Sequence, residues 1–294
     1  MRATLATLCW CAAQATPASA QISVTDDAGR VVTLAQPARR IVSLAPHNTE
    51  NLFTAGAGAR IVAVGDHSDY PPQARQLPRV GSHAQINLEA LLAYQPDLVV
   101  AWQTNTALHD ALARIEQWGI AVYYSEPRDF DDIIANIEEL ALLAGTTRIE
   151  PSPARLRETL ARTRARFADA REQSVFYQVW SEPLITLNGD HYLSRALEIC
   201  GARNAFAHLP FIAPRVSVEA VVQANPDIII TGAIPNDDDD ATADFARWRK
   251  WSSLDAVAND ALIAVDSNAM HRHTARMILG VEKLCEQIDR VRRN

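Results

Sequence analysis

Three histidines, His83, His271 and His273, are the side chains of this sequence best suited to address a metal centre, because a neutral imidazole binds cobalt, iron or zinc well. Read without that role, they are solvated polar groups in surface loops. Arg272 and Arg276 lie beside the second pair, and their planar guanidinium forks fit a phosphate or carboxylate. Otherwise they are helix-start charges near Asp266, Arg276 more so than Arg272. His67, Asp69, His83 and Asp266 are the set that would have to converge for metal-dependent hydrolysis in a secreted enzyme. The chain carries no HExxH, no G-x-S-x-G elbow and no nucleophile-base spacing, so the expectation is a protein that binds and does not catalyse.

Aromatic residues supply the candidate contact surface. Trp102 follows the apolar run Leu98–Ala101, at the carboxyl end of an expected strand, where open α/β sheets place ligand contacts. Tyr70 precedes Pro71 and Pro72, which restrict the backbone and present the ring at low entropic cost. Trp180, after the run 174–179, is the comparable residue further along, and Phe211 in Leu209-Pro-Phe211 is another; each is a site residue or an ordinary core or rim aromatic. A large flat ligand gains contact area from such rings.

One segment occurs twice. Asn87-Leu-Glu-Ala-Leu-Leu-Ala-Tyr-Gln-Pro-Asp-Leu-Val-Val100 returns 130 positions later as Ser217-Val-Glu-Ala-Val-Val-Gln-Ala-Asn-Pro-Asp-Ile-Ile-Ile230. That period is too long for a solenoid and marks two similar lobes, whose interface is a preferred place for a ligand. Glu89 and Glu219 fall at matching places, two residues after the helix caps Asn87 and Ser217. Carboxylates there are stabilised by the helix dipole without any partner. Two like charges on related lobes would equally suit a pseudo-symmetric partner.

The surrounding pattern is α/β. After a strand or hairpin over 22–34, strands are expected at 41–45, 61–64, 98–101 and 120–124, with helices starting near Thr49, Asn87, Asn105 and Asp129, the last ending at Gly145. Short apolar strands alternating with helices predict mostly parallel sheets covered on both faces. Residues 151–171, rich in Ala, Arg and Leu, read as one long connecting helix, giving a first lobe over 21–145, a link over 146–172 and a second lobe over 173–294. The second lobe has strands at 174–179, 227–231 and 262–265, and helices at 191–200, 217–224 and 274–290. A helical link predicts small closure, since a helix absorbs little φ/ψ change.

Residues 1–20 read as a secretory leader, with Arg2, an apolar core over 5–13 and Ala18-Ser19-Ala20 as the cleavage site. Its removal leaves Cys200 and Cys285 as an even pair in an oxidising compartment, expected to form one disulfide. It also leaves 27 basic against 35 acidic side chains, a net charge of −8, which disfavours nucleic acid or an anionic membrane as partner. The acid run 237–240 reads as a solvated loop.

Ser68-Asp-Tyr-Pro-Pro-Gln-Ala74, Asn87-Leu-Glu89, Pro96-Asp-Leu-Val-Val-Ala-Trp102, Leu197-Glu-Ile-Cys-Gly-Ala-Arg-Asn204, Val216-Ser-Val-Glu219 and Arg276-Met-Ile-Leu279 through Cys285 together resemble the periplasmic cobalamin-binding proteins of ABC importers. The resemblance extends from about Arg40 to the C-terminus. It lies within the wider class of helix-linked receptors for metal chelates, haem and ferric siderophores. It implies two Rossmann-like lobes joined by one long helix, and a monomeric periplasmic receptor with no cofactor of its own. Such a receptor carries a corrinoid, or alternatively haem or a ferric siderophore, to a permease dimer in the inner membrane. It also implies ligand contacts at Tyr70, Trp102 and Arg272, permease docking through Glu89 and Glu219, and a disulfide between Cys200 and Cys285. His83 stands where that family carries tryptophan, and Asn268 where it carries an acid.

Overall fold

The computed structural model describes residues 21–82, 85–102, 108–233 and 238–293. The leader, His83, the helix start near Asn105 and Asp237 of the acid run lie outside them. The chain opens with an antiparallel hairpin of β1 (Ile22–Thr25) and β2 (Val31–Leu34). Asp26 Oδ1 accepts from the N–H groups of Ala28 and Arg30 at 3.1 and 2.8 Å and so shapes the turn.

The first sheet is β3 (Ile41–Ser43), β4 (Ile61–Val64), β5 (Leu98–Trp102) and β6 (Ala121–Ser125), all parallel, in the order β4-β3-β5-β6. Around it run α1 (Pro46–Thr54), α2 (Leu88–Ala93), α3 (His109–Gln117) and α4 (Phe130–Ala144). Alternate strand residues face opposite sides: Ile41, Leu98 and Val100 enter one buried cluster, Val42, Val99 and Ala101 the other. Helix α4 starts where Asp129 accepts from Asp132 N at 2.9 Å and stops at Gly145, whose φ of +58° and closeness to Pro37 leave no room for a Cβ.

From there α5 (Pro153–Phe167) makes the chain's single passage to the second sheet. Ser152 caps it, Pro153 occupies its first turn, and Leu156, Thr159, Leu160, Thr163 and Phe167 form the buried stripe. The expected helix over 151–171 is a little shorter at both ends. The second half comprises β7 (Gln173–Gln178), α6 (Tyr192–Ile199), β8 (Ala202–Asn204), α7 (Val218–Ala224), β9 (Ile228–Ala233), α8 (Asp238–Trp248), α9 (Asp255–Ala258), β10 (Leu262–Asp266), α10 (Ser267–Met270) and α11 (Ala275–Arg292). Its parallel sheet is ordered β8-β7-β9-β10. In order of appearance both sheets are therefore 2-1-3-4.

The described part of the acid run is not the loop expected: residues 238–240 open α8. Strand β8 and helices α8, α9 and α10 were not foreseen. Three of the four span only three or four residues, too few for periodicity to register.

The sequence repeat has a structural counterpart in detail. Asn87 Oδ1 accepts from Ala90 N at 3.0 Å and Ser217 Oγ from Ala220 N at 3.2 Å. Gln95 and Asn225, each just before proline, both adopt positive φ, +45° and +42°. Asp97 then accepts from the backbone of Arg39 and Arg40, and Asp227 from Ser174. In both halves the Pro-Asp step thus fastens the strand of the repeat to the start of its neighbour.

One hydrophobic cluster runs without a break from the first sheet (Ile41, Leu98, Tyr123) through α5 (Leu156, Leu160, Phe167) to the second (Val175, Phe176, Ile228) and α11 (Met277, Ile278). Surface pairs Arg157–Glu138, Arg162–Glu282 and Arg166–Glu286 line α5, each worth at most about 1 kcal/mol. Cys200 and Cys285 form the disulfide, with Cα atoms 4.6 Å apart, joining the end of α6 to α11. The bond closes a loop spanning 85 positions. Replacing both cysteines by serine is expected to lower the unfolding free energy by about 2–4 kcal/mol in urea titrations; an unchanged midpoint would contradict this.

Candidate functional site

The carboxyl ends of both sheets open onto cavities, as in other α/β folds. A cavity of about 420 Å³ is walled on the first-sheet side by Trp102, Glu126 and Arg128, and on the second-sheet side by Asp190, His191, Tyr192, Arg195, Ile212 and His273. A second, of about 550 Å³, lies at the ends of β7, β9 and β10, with Trp180, Thr231, Asp244, Ser267 and His271 among its walls. A third, of about 400 Å³, holds Glu50, Phe53, Tyr70, Pro71, Arg276 and Leu279.

Five rings in succession cross between the halves. Trp102 meets His47 edge-on at 5.6 Å between centroids, His47 meets His273 at 5.8 Å, His273 meets Tyr192 at 4.1 Å, and Tyr192 meets His191 at 4.3 Å. Each is held by local structure. His47 is the second residue of α1, just beyond β3; Trp102 is the last residue of β5; and His191 is the N-cap of α6. Leu193 N–H donates to His191 Nδ1 at 3.2 Å, which places the ring proton on Nε2 and points a donor outward. His271 Nε2 lies 3.0 Å from the buried Tyr177 hydroxyl.

Beside the rings, charged groups join the halves. Arg276 donates from Nε to Glu50 Oε1 at 2.7 Å and from Nη2 to Glu50 Oε2 at 2.6 Å, while its guanidinium covers the Tyr70 ring at 3.7 Å. Arg272 Nη1 donates to Asp69 Oδ1 at 2.6 Å, and its Nη2 to Asn268 Oδ1 at 3.3 Å. Asn51 Nδ2 donates to the His273 carbonyl at 2.9 Å. Burial alone would raise the Asp69 carboxyl, but the Arg272 hydrogen bond and charge outweigh it and hold the group below its ordinary range.

The expected residues divide accordingly. Trp102 lines the cavity between the halves. Asn268 and Arg272 are hydrogen-bonded together next to it, and Tyr70 lies in the adjoining groove, stacked on Arg276. Trp180 walls the second cavity and is 61% exposed. Phe211, 73% exposed, lines none of the three, whereas its neighbour Ile212 lines the first. Arg276 is not a simple helix-start charge, because Glu50 engages it in a two-pronged ion pair. Of the hydrolase set, Asp69 is paired with Arg272 and Asp266 caps α10, and no three His, Cys, Asp or Glu residues gather as a metal site among the described residues. Glu89 and Glu219 are exposed in the first turns of α2 and α7. His47, His191, Tyr192 and Arg195 were not singled out from the sequence. The strand-end argument that selected Trp102 applies equally to His47, which follows β3.

Burial keeps these imidazoles neutral. It lowers His47 and His191 to about 3, with neighbouring positive or imidazole groups adding to the effect, and it lowers His271 and His273 to about 4. An unfolded histidine titrates near about 6.5. Below that pH the unfolded chain takes up protons that the folded chain refuses, so stability is complete above about 6.5 and falls on acidification towards 4. Each ring costs up to about 1.4 kcal/mol per pH unit in that window. The unfolding free energy is therefore expected to drop between pH 7 and pH 5, and a His47→Gln, His191→Gln double variant to show a shallower slope; equal slopes would refute the neutral burial of these two rings.

Residues 41–269 match the family described as periplasmic binding protein. A vitamin B12-binding protein of Vibrio cholerae is 37% identical over 251 residues, covering 85% of this chain and 88% of that protein. Another, from Vibrio parahaemolyticus, is 33% identical over 260 residues, covering 88% and 92%. The crystal structure of the periplasmic vitamin B12 binding protein BtuF of Vibrio cholerae superposes with a TM-score of 0.78 at 35% identity, over 88% of this chain and 99% of that one. The haem-binding protein RhuT of Roseiflexus, at 20% identity and a TM-score of 0.74, shares the fold. With twin parallel sheets of one topology facing a ring-lined cleft, and matches that span nearly its whole length, the chain belongs to the periplasmic binding protein family, whose members are receptors and not enzymes.

Proposed function

We propose that this chain captures cobalamin or a related corrinoid in the cleft between its halves and delivers it to an ABC permease. The observation that carries the reading is the file of five rings crossing that cleft, in a chain whose near full-length relatives bear the name vitamin B12-binding protein. A corrin is a broad, flat, amide-fringed macrocycle. The exposed Trp102 ring offers it area, while His191 Nε2–H, Arg195, Arg128 and Asp190 offer its amides donors and acceptors. Asn268 and Arg272 beside the cleft, Tyr70 in the adjoining groove, Trp180 in the second cavity and the exposed Phe211 are further contacts in this reading. His83 is a further contact in this reading.

In this reading residues 21–145 and 173–294 are the lobes and 146–172 the link, the leader is removed after about Ala20, and the mature protein works as a periplasmic monomer. Glu89 and Glu219 project from corresponding first turns and serve as twin docking points for the two subunits of a permease dimer.

Titration with cyanocobalamin, followed by calorimetry and absorbance, tests the reading directly. Saturable one-to-one binding is expected, and binding of haemin or a ferric siderophore without any corrinoid would overturn it. Trp102→Ala should weaken corrinoid binding by about 1–4 kcal/mol, as for loss of a buried aromatic anchor; an unaltered dissociation constant would remove Trp102 from the site. The Glu89→Arg, Glu219→Arg double variant should keep its ligand affinity and melting temperature but lose association with permease-containing vesicles, since reversal turns attraction into repulsion. Undiminished association would refute the docking assignment.

A further inference from the structure

The four imidazoles around the cleft are not equivalent. His191 Nδ1 is taken by the Leu193 N–H, so its other nitrogen carries a proton. His271 Nε2 is taken by the Tyr177 hydroxyl. His47 is 5% exposed, with an Nε2 that has no partner, and it stands behind the cavity wall. His273 differs from all three: its ring lines the cavity and makes no hydrogen bond among the described residues. Its position is nevertheless fixed, by the Tyr192 ring at 4.1 Å, by His47 at 5.8 Å, and by Asn51, which holds its carbonyl at 2.9 Å. The site thus presents a ring nitrogen with an unused lone pair, on a braced side chain, to whatever fills the cavity.

One imidazole cannot hold a bare metal ion against water, and the described residues offer no group of three or more ligands. It suffices for a metal whose equatorial positions are already filled by a macrocycle, where only an axial position remains to be exchanged. Resting on the corrinoid reading above, we propose that His273 coordinates the cobalt of the bound corrinoid and so makes this receptor select corrinoids with an exchangeable axial position. The step is a ligand substitution: the imidazole lone pair forms the Co–N bond as one axial water leaves, and no electron is transferred. Burial keeps the His273 ring neutral at pH 7, with its pKa lowered to about 4, so no proton has to depart first.

Two forms of cobinamide, the corrinoid without its nucleotide base, separate coordination from shape. Diaquacobinamide has exchangeable axial waters, whereas dicyanocobinamide has both positions blocked. The protein should bind the diaqua form at least about tenfold more tightly, with its visible bands moving to those of an imidazole complex. His273→Phe retains a ring against Tyr192. It should abolish both the preference and the band shift, so that the two cobinamides bind the variant within about twofold of each other, while an unchanged circular-dichroism spectrum reports that the variant is folded. In the wild-type protein, chemically reduced Co(II) cobinamide should show three-line nitrogen splitting in its electron paramagnetic resonance spectrum. Tight binding with unshifted water-ligated spectra, or a band shift that survives His273→Phe, would overturn coordination by His273 and leave the receptor reading intact. Failure of both cobinamides and cyanocobalamin to bind would overturn the two together.

Discussion

Glu50 and Arg276 meet across the gap between the two halves, with only 3% of the carboxylate side chain and 21% of the arginine exposed. Taking both charges out of water costs several kcal/mol per ion, and the attraction repays this only with good geometry and with the remaining hydrogen-bonding positions satisfied. Here both conditions are met: two parallel bonds of 2.7 and 2.6 Å, a further bond from Arg276 to the Asn268 carbonyl at 2.9 Å, and the Tyr70 ring over the guanidinium. Separating the halves would break both of these bonds together with the Asn268 and Tyr70 contacts. The pair therefore sets the spacing between α1 and α11, and with it the spacing of every ring in the file from Trp102 to His191.

That constraint acts together with the unbroken core. Because one hydrophobic cluster continues through α5 and α11, the halves cannot hinge without exposing Leu156, Phe167 or Met277. A cleft held from both sides is largely formed before a ligand arrives, so less of the binding energy is spent on ordering it. Neutral imidazoles suit such a place. Two of the cations nearby are already matched, Arg276 by Glu50 and Arg272 by Asp69, and the rings add polar atoms to the wall without adding charge.

The sequence revealed the fold more fully than the site, for physical reasons that differ from residue to residue. The caps Asp129, Ser152, Asn87 and Ser217 and the stop at Gly145 act locally, so their roles follow from a few neighbouring residues. The duplicated Glu and Pro-Asp positions were visible as a repeat, yet what the aspartates do was not. Asp97 bonds a backbone 57 and 58 positions away, and only folding brings the two together. The same applies to the site. Trp102 announced itself by closing an apolar run and His273 by its residue type, whereas His47 and His191 come from distant segments, and their rings join the file only once the two sheets face each other. The acid run misled because charge density reads alike in a solvated loop and in the first turn of a helix.

Duplication also explains why the cleft is not symmetric. Aligning the two repeats places Gly232 of β9 opposite Trp102 of β5. In the first half the strand itself supplies the ring. In the second, a side chain at that point is excluded, since a Cβ on Gly232 would collide with Ser267 Oγ and lie 2.9 Å from His271 Cε1. The space left by the missing side chain is filled from α10, whose His271 turns towards Tyr177 behind it. A single repeated unit has thus been put to two uses: outside, it presents Glu89 and Glu219 in equivalent first turns; inside, one copy ends in a ring and the other in a gap that admits a ring from elsewhere. The Pro-Asp step of each repeat ties its strand to the strand beside it, Asp97 at the start of β3 and Asp227 at the start of β7, so the ring of one half and the gap of the other are held at matching places in their sheets.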